Sequence, residues 1–194
     1  MKKLHSLTCL LLILLTALGC EDENPEPSEL DESYAVYNVL IDSLIEDVAV
    51  ISAESYSGQA RFCITDNQIN SILEFYPEFP AGLVQELPVV DEDSLIYENR
   101  FQGQNKEIVV LNSAELLELL PPGIGYQESW QTFLEAYGET AQRMALTRIS
   151  FNEEHTQAVF GAAVGRWSYS GYMVYCEKVN GTWVIQSIVN TWIT

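Results

Sequence analysis

The sequence predicts an α+β domain: N-terminal and central helices packed on one face of a mainly antiparallel sheet that ends in a four-strand C-terminal meander. Three observations point there. Tyr37, Leu40, Ile41, Leu44 and Ile45 recur at i, i+3, i+4, i+7 and i+8, one apolar helical stripe. The last 52 residues read as four strands in sequence. Asn180-Gly181 sits between two of those strands and is the strongest short hairpin signal in the chain.

The elements follow in order. Ser28 and Asp31 form a capping pair ahead of the first helix, Asp31 to Glu46. Val48 to Ala53 and Gln59 to Thr65 read as strands, with residues 55–58 turning between them. Asp66 to Tyr76 reads as a helix that starts on Asp66 and stops at Pro77. Pro77, Pro80 and Pro88 then break the chain, and Asp91 to Phe101 reads as a short helix. Glu107 to Leu111 is a strand, and Ser113 caps a helix over Ala114 to Leu120. Tyr126 to Tyr137 is a helix with Trp130, Phe133 and Tyr137 on one stripe. Met144 to Phe151, Thr156 to Val164, Tyr169 to Val179 and Thr182 to Ile193 are the closing strands. The Asn180-Gly181 turn sets Val179 opposite Thr182 and Cys176 opposite Ile185. Plain alternation then puts Cys176 on one apolar face with Tyr172, Val174, Trp183 and Val189.

The start of the chain supplies an address. Lys2 and Lys3 precede an apolar run from Leu7 to Leu18, 12 positions that suit a signal peptide and fall short of a bilayer span. Thr16-Ala17-Leu18-Gly19-Cys20 then resembles the lipobox of bacterial lipoproteins, with Ala17 where Leu is usual. The resemblance implies a signal peptide over residues 1–19 and a lipid on Cys20, whose acyl chains hold the protein to the outer membrane, facing the periplasm or the cell surface. Glu21 to Glu32 has seven Asp or Glu and two Pro in 12 residues, the composition of a disordered tether. An acidic stretch directly after the cysteine also resembles the export signal of surface-displayed lipoproteins in Bacteroidota. Residues 33–194 remain as one globular domain.

Charge and composition exclude whole classes. Losing Lys2 and Lys3 leaves seven of nine basic residues against all 28 acidic ones, a balance of −21 that repels nucleic acid and anionic head groups. His155 is the one histidine after Cys20, so a multi-histidine metal site within one chain is ruled out, and the sequence implies neither metal nor cofactor. There is no P-loop, no G-x-G-x-x-G and no G-x-S-x-G elbow. Asp91-Glu92-Asp93 fails the EF-hand spacing, because Ile96 stands where the loop needs Gly. Cys63 and Cys176 form a candidate disulfide; such a bridge would close a loop of 114 residues and contribute about 4–5 kcal/mol by the chain-entropy argument. The alternative is two buried free thiols.

Two features remain as a candidate ligand or partner surface. Arg148 lies mid-strand, where it needs a solvated face or a carboxylate; an ion pair is the favoured reading. Arg166, Trp167, Tyr169 and Tyr172 crowd a turn, where exposed rings would stack on a glycan or grip a protein and buried ones would be core. The stretch from 107 to 194 also resembles an uncharacterised group of bacterial proteins. It does so through Trp130-Gln131-Thr132-Phe133, Leu146-Thr147-Arg148-Ile149-Ser150-Phe151-Asn152 (an "SRVGFN"-like strand) and Gly181-Thr182-Trp183. That resemblance implies the fold and no mechanism. The function expected is a lipid-anchored, non-enzymatic binding or accessory module of the cell envelope. The alternative is an envelope hydrolase using paired carboxylates.

Overall fold

The computed structural model describes residues 28–55, 66–90, 95–121, 123 and 125–193. Cys20, the expected strand 59–65 with Cys63, and the acidic run 91–93 lie outside those residues. The described strands are β1 (Val48–Ser52), β2 (Glu107–Leu111), β3 (Gln142–Phe151), β4 (Gln157–Gly165), β5 (Tyr169–Val179) and β6 (Thr182–Ile193). They form one sheet in the order β2-β1-β3-β4-β5-β6. β1 runs parallel to both β2 and β3; β3 to β6 are the antiparallel meander. The β5–β6 turn holds Asn180 at φ 52° and Gly181 at φ 80°, the left-handed pair that Asn-Gly tolerates. It sets Val179 against Thr182 and Cys176 against Ile185, as expected.

One face assignment is overturned. The register slips between Tyr175 and Cys176, where Tyr175 faces Ser187 rather than Gln186. This β-bulge moves the β6 side chains from Ser187 to Asn190 to the other side of the sheet. Val189 therefore packs with Met173 and Tyr175, not with Cys176. Cys176, Val174 and Trp183 do share a face. A second bulge sets Thr147 and Arg148 of β3 against the single residue Gly161 of β4. A third lies between Gly171 and Tyr172.

The helices are α1 (Glu29–Leu44), α2 (Asp66–Phe75), α3 (Ala81–Val90), α4 (Ser113–Leu119) and α5 (Tyr126–Tyr137). α2 to α5 share one face of the sheet, and α1 takes the other, which refines the one-face expectation. Alternation on β1 shows the division: Ala49 and Ile51 join the α1 core, while Val50 packs under α5. The α1 core holds Tyr37, Leu40, Ile41, Phe160 and Val174, all fully buried. The opposite face has two clusters, one under α2 and α3 around Val84, Val159 and Met173, the other under α4 and α5 around Trp130 and Phe133.

α1 begins earlier than the tether reading allows. Ser28 Oγ accepts from the Asp31 amide and Asp31 accepts from the Ser28 amide, the expected capping pair now placed at the N-cap and N3. Residues 28–32 are thus folded, and Glu32 is buried. The acidic first turn suits the helix dipole. The last turn carries no base of its own, so Lys106 supplies one: its Nζ donates to the Ile41 carbonyl at 3.3 Å, to Asp42 at 2.9 Å and to Ile45.

Two further readings are corrected. α3 forms although Pro80 precedes it and Pro88 falls within its last turn. Pro80 sits ahead of the first turn, where a missing N–H costs nothing, and its carbonyl accepts from Val84 at 3.1 Å. Residues 95–101 are not helical: Ile96 bridges Glu54, and Tyr97 donates its amide to Ala53. This extended strap lets both Tyr97 and Phe101 reach the α1 core. Asn112, not Ser113, caps α4, accepting from Ala114 and Glu115 while Glu115 reaches back to its amide.

Candidate functional site

The five residues read as a surface do not converge. Arg166 is a strap: its guanidinium meets Glu46 at 3.0 Å and the Thr140 carbonyl at 3.2 Å, tying the β4–β5 turn to the end of α1. Tyr169 is half-buried, its ring 5.6 Å from Trp130 and 5.8 Å under the Arg143 guanidinium. Tyr172 packs against the α1 core. Trp167 alone of the turn aromatics stands out, 49% exposed. Arg143 faces Gly165 in the ladder, so Arg148 lies five residues along β3, about 16 Å from the turn.

Trp167 lines a groove of about 590 Å³ together with Gln127, Glu128, Gln131, Leu134, Glu135 and Glu139. The turn that carries it is fixed by a close approach: a Cβ on Gly165 would lie 2.2 Å from the Ser168 carbonyl oxygen. Trp130 and Phe133 of α5 face inward, and its polar residues line the groove together with Leu134. Gln131 donates to Glu135 at 3.0 Å. Glu128, Glu135 and Glu139 come from one helix and the turn after it, hence from one wall. A hydrolase pair must reach the scissile bond from two sides, and the groove offers carboxylates on one.

The β3 bulge makes a second concavity. Thr147 Oγ1 accepts from the Gly161 amide at 2.8 Å, so its side chain replaces a ladder partner. The Thr147 carbonyl accepts from the Tyr37 hydroxyl at 2.8 Å, with the Tyr97 hydroxyl 3.2 Å away. Beside them lies a cavity of about 220 Å³ lined by Glu29, Leu30, Ser33, Tyr37, Leu95, Arg148 and Ile149. Among the described residues Arg148 makes no ion pair: the described pairs are Arg100–Asp31, Arg166–Glu46 and Lys178–Glu32. The bulge explains it, because it turns Arg148 toward the first turn of α1 rather than toward a cross-strand carboxylate.

Other titratable groups are structural. Glu32 accepts from Lys178 Nζ at 2.5 Å and from the Trp183 indole at 2.6 Å, so a buried charge is paired and hydrogen-bonded. Tyr175 donates to Glu177 and accepts from Gln157 at 2.9 Å; burial and the Glu177 carboxylate push its phenol up. His155 sits in the β3–β4 turn with its ring 5.1 Å from Phe151, placing it in packing rather than in a cleft. Cys176 is a free thiol, fully buried, and burial pushes it up to about 12; its expected partner Cys63 lies outside the described residues. Among the described residues no three His, Cys, Asp or Glu gather as metal ligands. No described helix is long and apolar enough to cross a membrane.

Sequence reasoning missed the α5 wall of the groove and the Tyr37–Tyr97 pair. A signal for the first is present: Gln127, Gln131 and Glu135 recur every four residues opposite the Trp130 stripe. No family model, curated protein or solved structure matches the chain.

Proposed function

We propose that this chain is a lipid-anchored, non-enzymatic binding module of the cell envelope, and that it grips a neutral glycan in the Trp167 groove. The observation that carries the reading is one indole half in water above a wall of amides and carboxylates. An aromatic face stacks on the apolar face of a sugar ring, and side-chain amides and carboxylates serve its hydroxyls. A groove this acidic disfavours anionic glycans. The one-walled placement of its three carboxylates supports binding over hydrolysis. The lipobox ending at Cys20 and the acidic residues after it support the anchor and the outer-membrane address, with display on either side of that membrane.

Titration of purified protein with a panel of neutral oligosaccharides tests the ligand. Binding that shifts tryptophan emission, and is lost in Trp167→Ala with an unchanged melting temperature, is the expected result. A Trp167→Ala variant that binds as well as the parent, or a panel with no binder, overturns it. The anchor is tested separately: Cys20→Ser is expected to abolish incorporation of labelled palmitate, and a variant that still incorporates label sinks the lipidation reading.

A further inference from the structure

Acidic residues outnumber basic ones fourfold after Cys20, so every base has carboxylates to choose from. Six of the seven bases lie among the described residues. Arg100 pairs with Asp31, Arg166 with Glu46 and Lys178 with Glu32. Lys106 caps α1, and Arg143 lies over the Tyr169 ring. Arg148 alone has no such partner among the described residues, and it lines the 220 Å³ cavity beside the bulge.

A charge of opposite sign stands at the rim of the same cavity. Glu29, solvent-exposed in the first turn of α1, is among the residues that line it and forms none of the described ion pairs. The remaining polar side chains are committed. Ser33 Oγ donates to the Glu29 carbonyl at 2.9 Å, and the Tyr37 hydroxyl donates to Thr147. Leu30, Leu95 and Ile149 make the rest of the wall apolar. One cation, one anion and an aliphatic wall thus share a space the size of one small molecule.

We propose that this cavity binds a free α-amino acid with an apolar side chain. The ligand carboxylate would take the planar fork of Arg148, which presents paired donors at the spacing of two carboxylate oxygens. The ligand ammonium would donate to Glu29, and its side chain would lie on Leu30, Leu95 and Ile149. An anion alone would leave Glu29 repelling it at close range. An apolar molecule alone would leave the half-buried Arg148 guanidinium desolvated without compensation. A zwitterion answers both, and the volume admits one residue rather than a peptide. This site is separate from the Trp167 groove, so each reading can fail without the other.

Calorimetric titration of the full-length protein with L-leucine, leucinamide and N-acetyl-leucine tests the assignment. Leucine is expected to bind, with leucinamide and N-acetyl-leucine at least tenfold weaker because each lacks one charge. Arg148→Gln and Glu29→Gln are each expected to weaken leucine at least tenfold without changing glycan binding at Trp167. Leu30→Trp, which fills the cavity and keeps both charges, serves as a third variant and is expected to abolish binding. Failure of leucine, isoleucine, valine, methionine and phenylalanine all to bind would overturn the proposal. So would N-acetyl-leucine binding as tightly as leucine, or full affinity in Arg148→Gln.

Discussion

The two faces of the sheet are sealed by different means. The α1 face is pinned by polar contacts between distant segments: Glu32 to Lys178 and Trp183, Tyr37 to Thr147, Arg100 to Asp31, Lys106 to the end of α1. The α2–α5 face closes over two apolar clusters with Trp130, Phe133, Val84 and Met173 at their centres. Hydrophobic burial is non-directional, whereas a buried hydrogen bond to a charge demands one geometry. The α1 face therefore specifies where a helix sits, and the position of Glu29 relative to Arg148 on β3 depends on that placement. Both faces bury apolar cores, and the α2–α5 face leaves the outward side of α5 to line a groove.

The largest effect is expected in the apolar cluster under α4 and α5. Phe133 is fully buried on the inner face of α5, its ring 5.1 Å from Trp130. Phe133→Ala is expected to cost about 3–5 kcal/mol, the range for an aromatic truncated in a core. Urea unfolding at neutral pH measures it. A loss under about 1 kcal/mol would show that the cluster repacks freely and would erase the contrast between the faces.

How much of this was legible from sequence depends on whether the signal lies in one strand or between two. The meander, the Asn180-Gly181 register and the α5 stripe are local patterns, and they appear where the residues say. The bulges are not local. Nothing in Thr182 to Ile193 alone announces that Gln186 is an extra residue, yet that slip moves Val189 to the other face. The Thr147–Arg148 bulge is equally silent, and it is what leaves Arg148 without the carboxylate its strand position suggested. The α3 helix was hidden by counting Pro80 as a breaker when it precedes the first turn. The groove was half visible: Trp167 stood out by type, but only the fold brings the α5 amides beneath it, and only the fold draws Tyr169 and Tyr172 inward.

A middle-sized effect tests the polar side of the comparison. Glu32→Gln keeps an acceptor for the Trp183 indole but removes the charge facing Lys178, whose side chain is 24% exposed. Hydrogen bonds to charged groups contribute about 1.5–3 kcal/mol, and a loss in that range is expected. The double variant Glu32→Gln with Lys178→Met removes both charges together while keeping an acceptor for the Trp183 indole, and recovery of most of the loss is expected, since neutral replacement of a buried pair costs far less than leaving one charge unpaired. Chemical denaturation of the three proteins reads both steps. A double variant no better than the single would mean that the ion pair itself, not the avoidance of a lone charge, holds α1 down.

The smallest effect concerns the first turn of α1. Hydrogen bonds from Ser28, then from Arg100, hold the Asp31 carboxyl down at about 2, below its ordinary 3.8. A carboxyl depressed in the fold binds its proton more readily in the unfolded chain. Its contribution is therefore complete above about pH 4, declines as acid protonates the unfolded state, and is gone once pH falls through about 2. Asp31→Ala is expected to melt below the parent at pH 7, with the gap closing between pH 4 and pH 2. The group is exposed, so added salt should shrink the gap at pH 7 by weakening the Arg100 pair while leaving the Ser28 cap. A gap that stays constant down to pH 2 would mean that the side chain acts through its shape alone, and the polar pinning of the α1 face would then begin at Glu32 rather than at the cap.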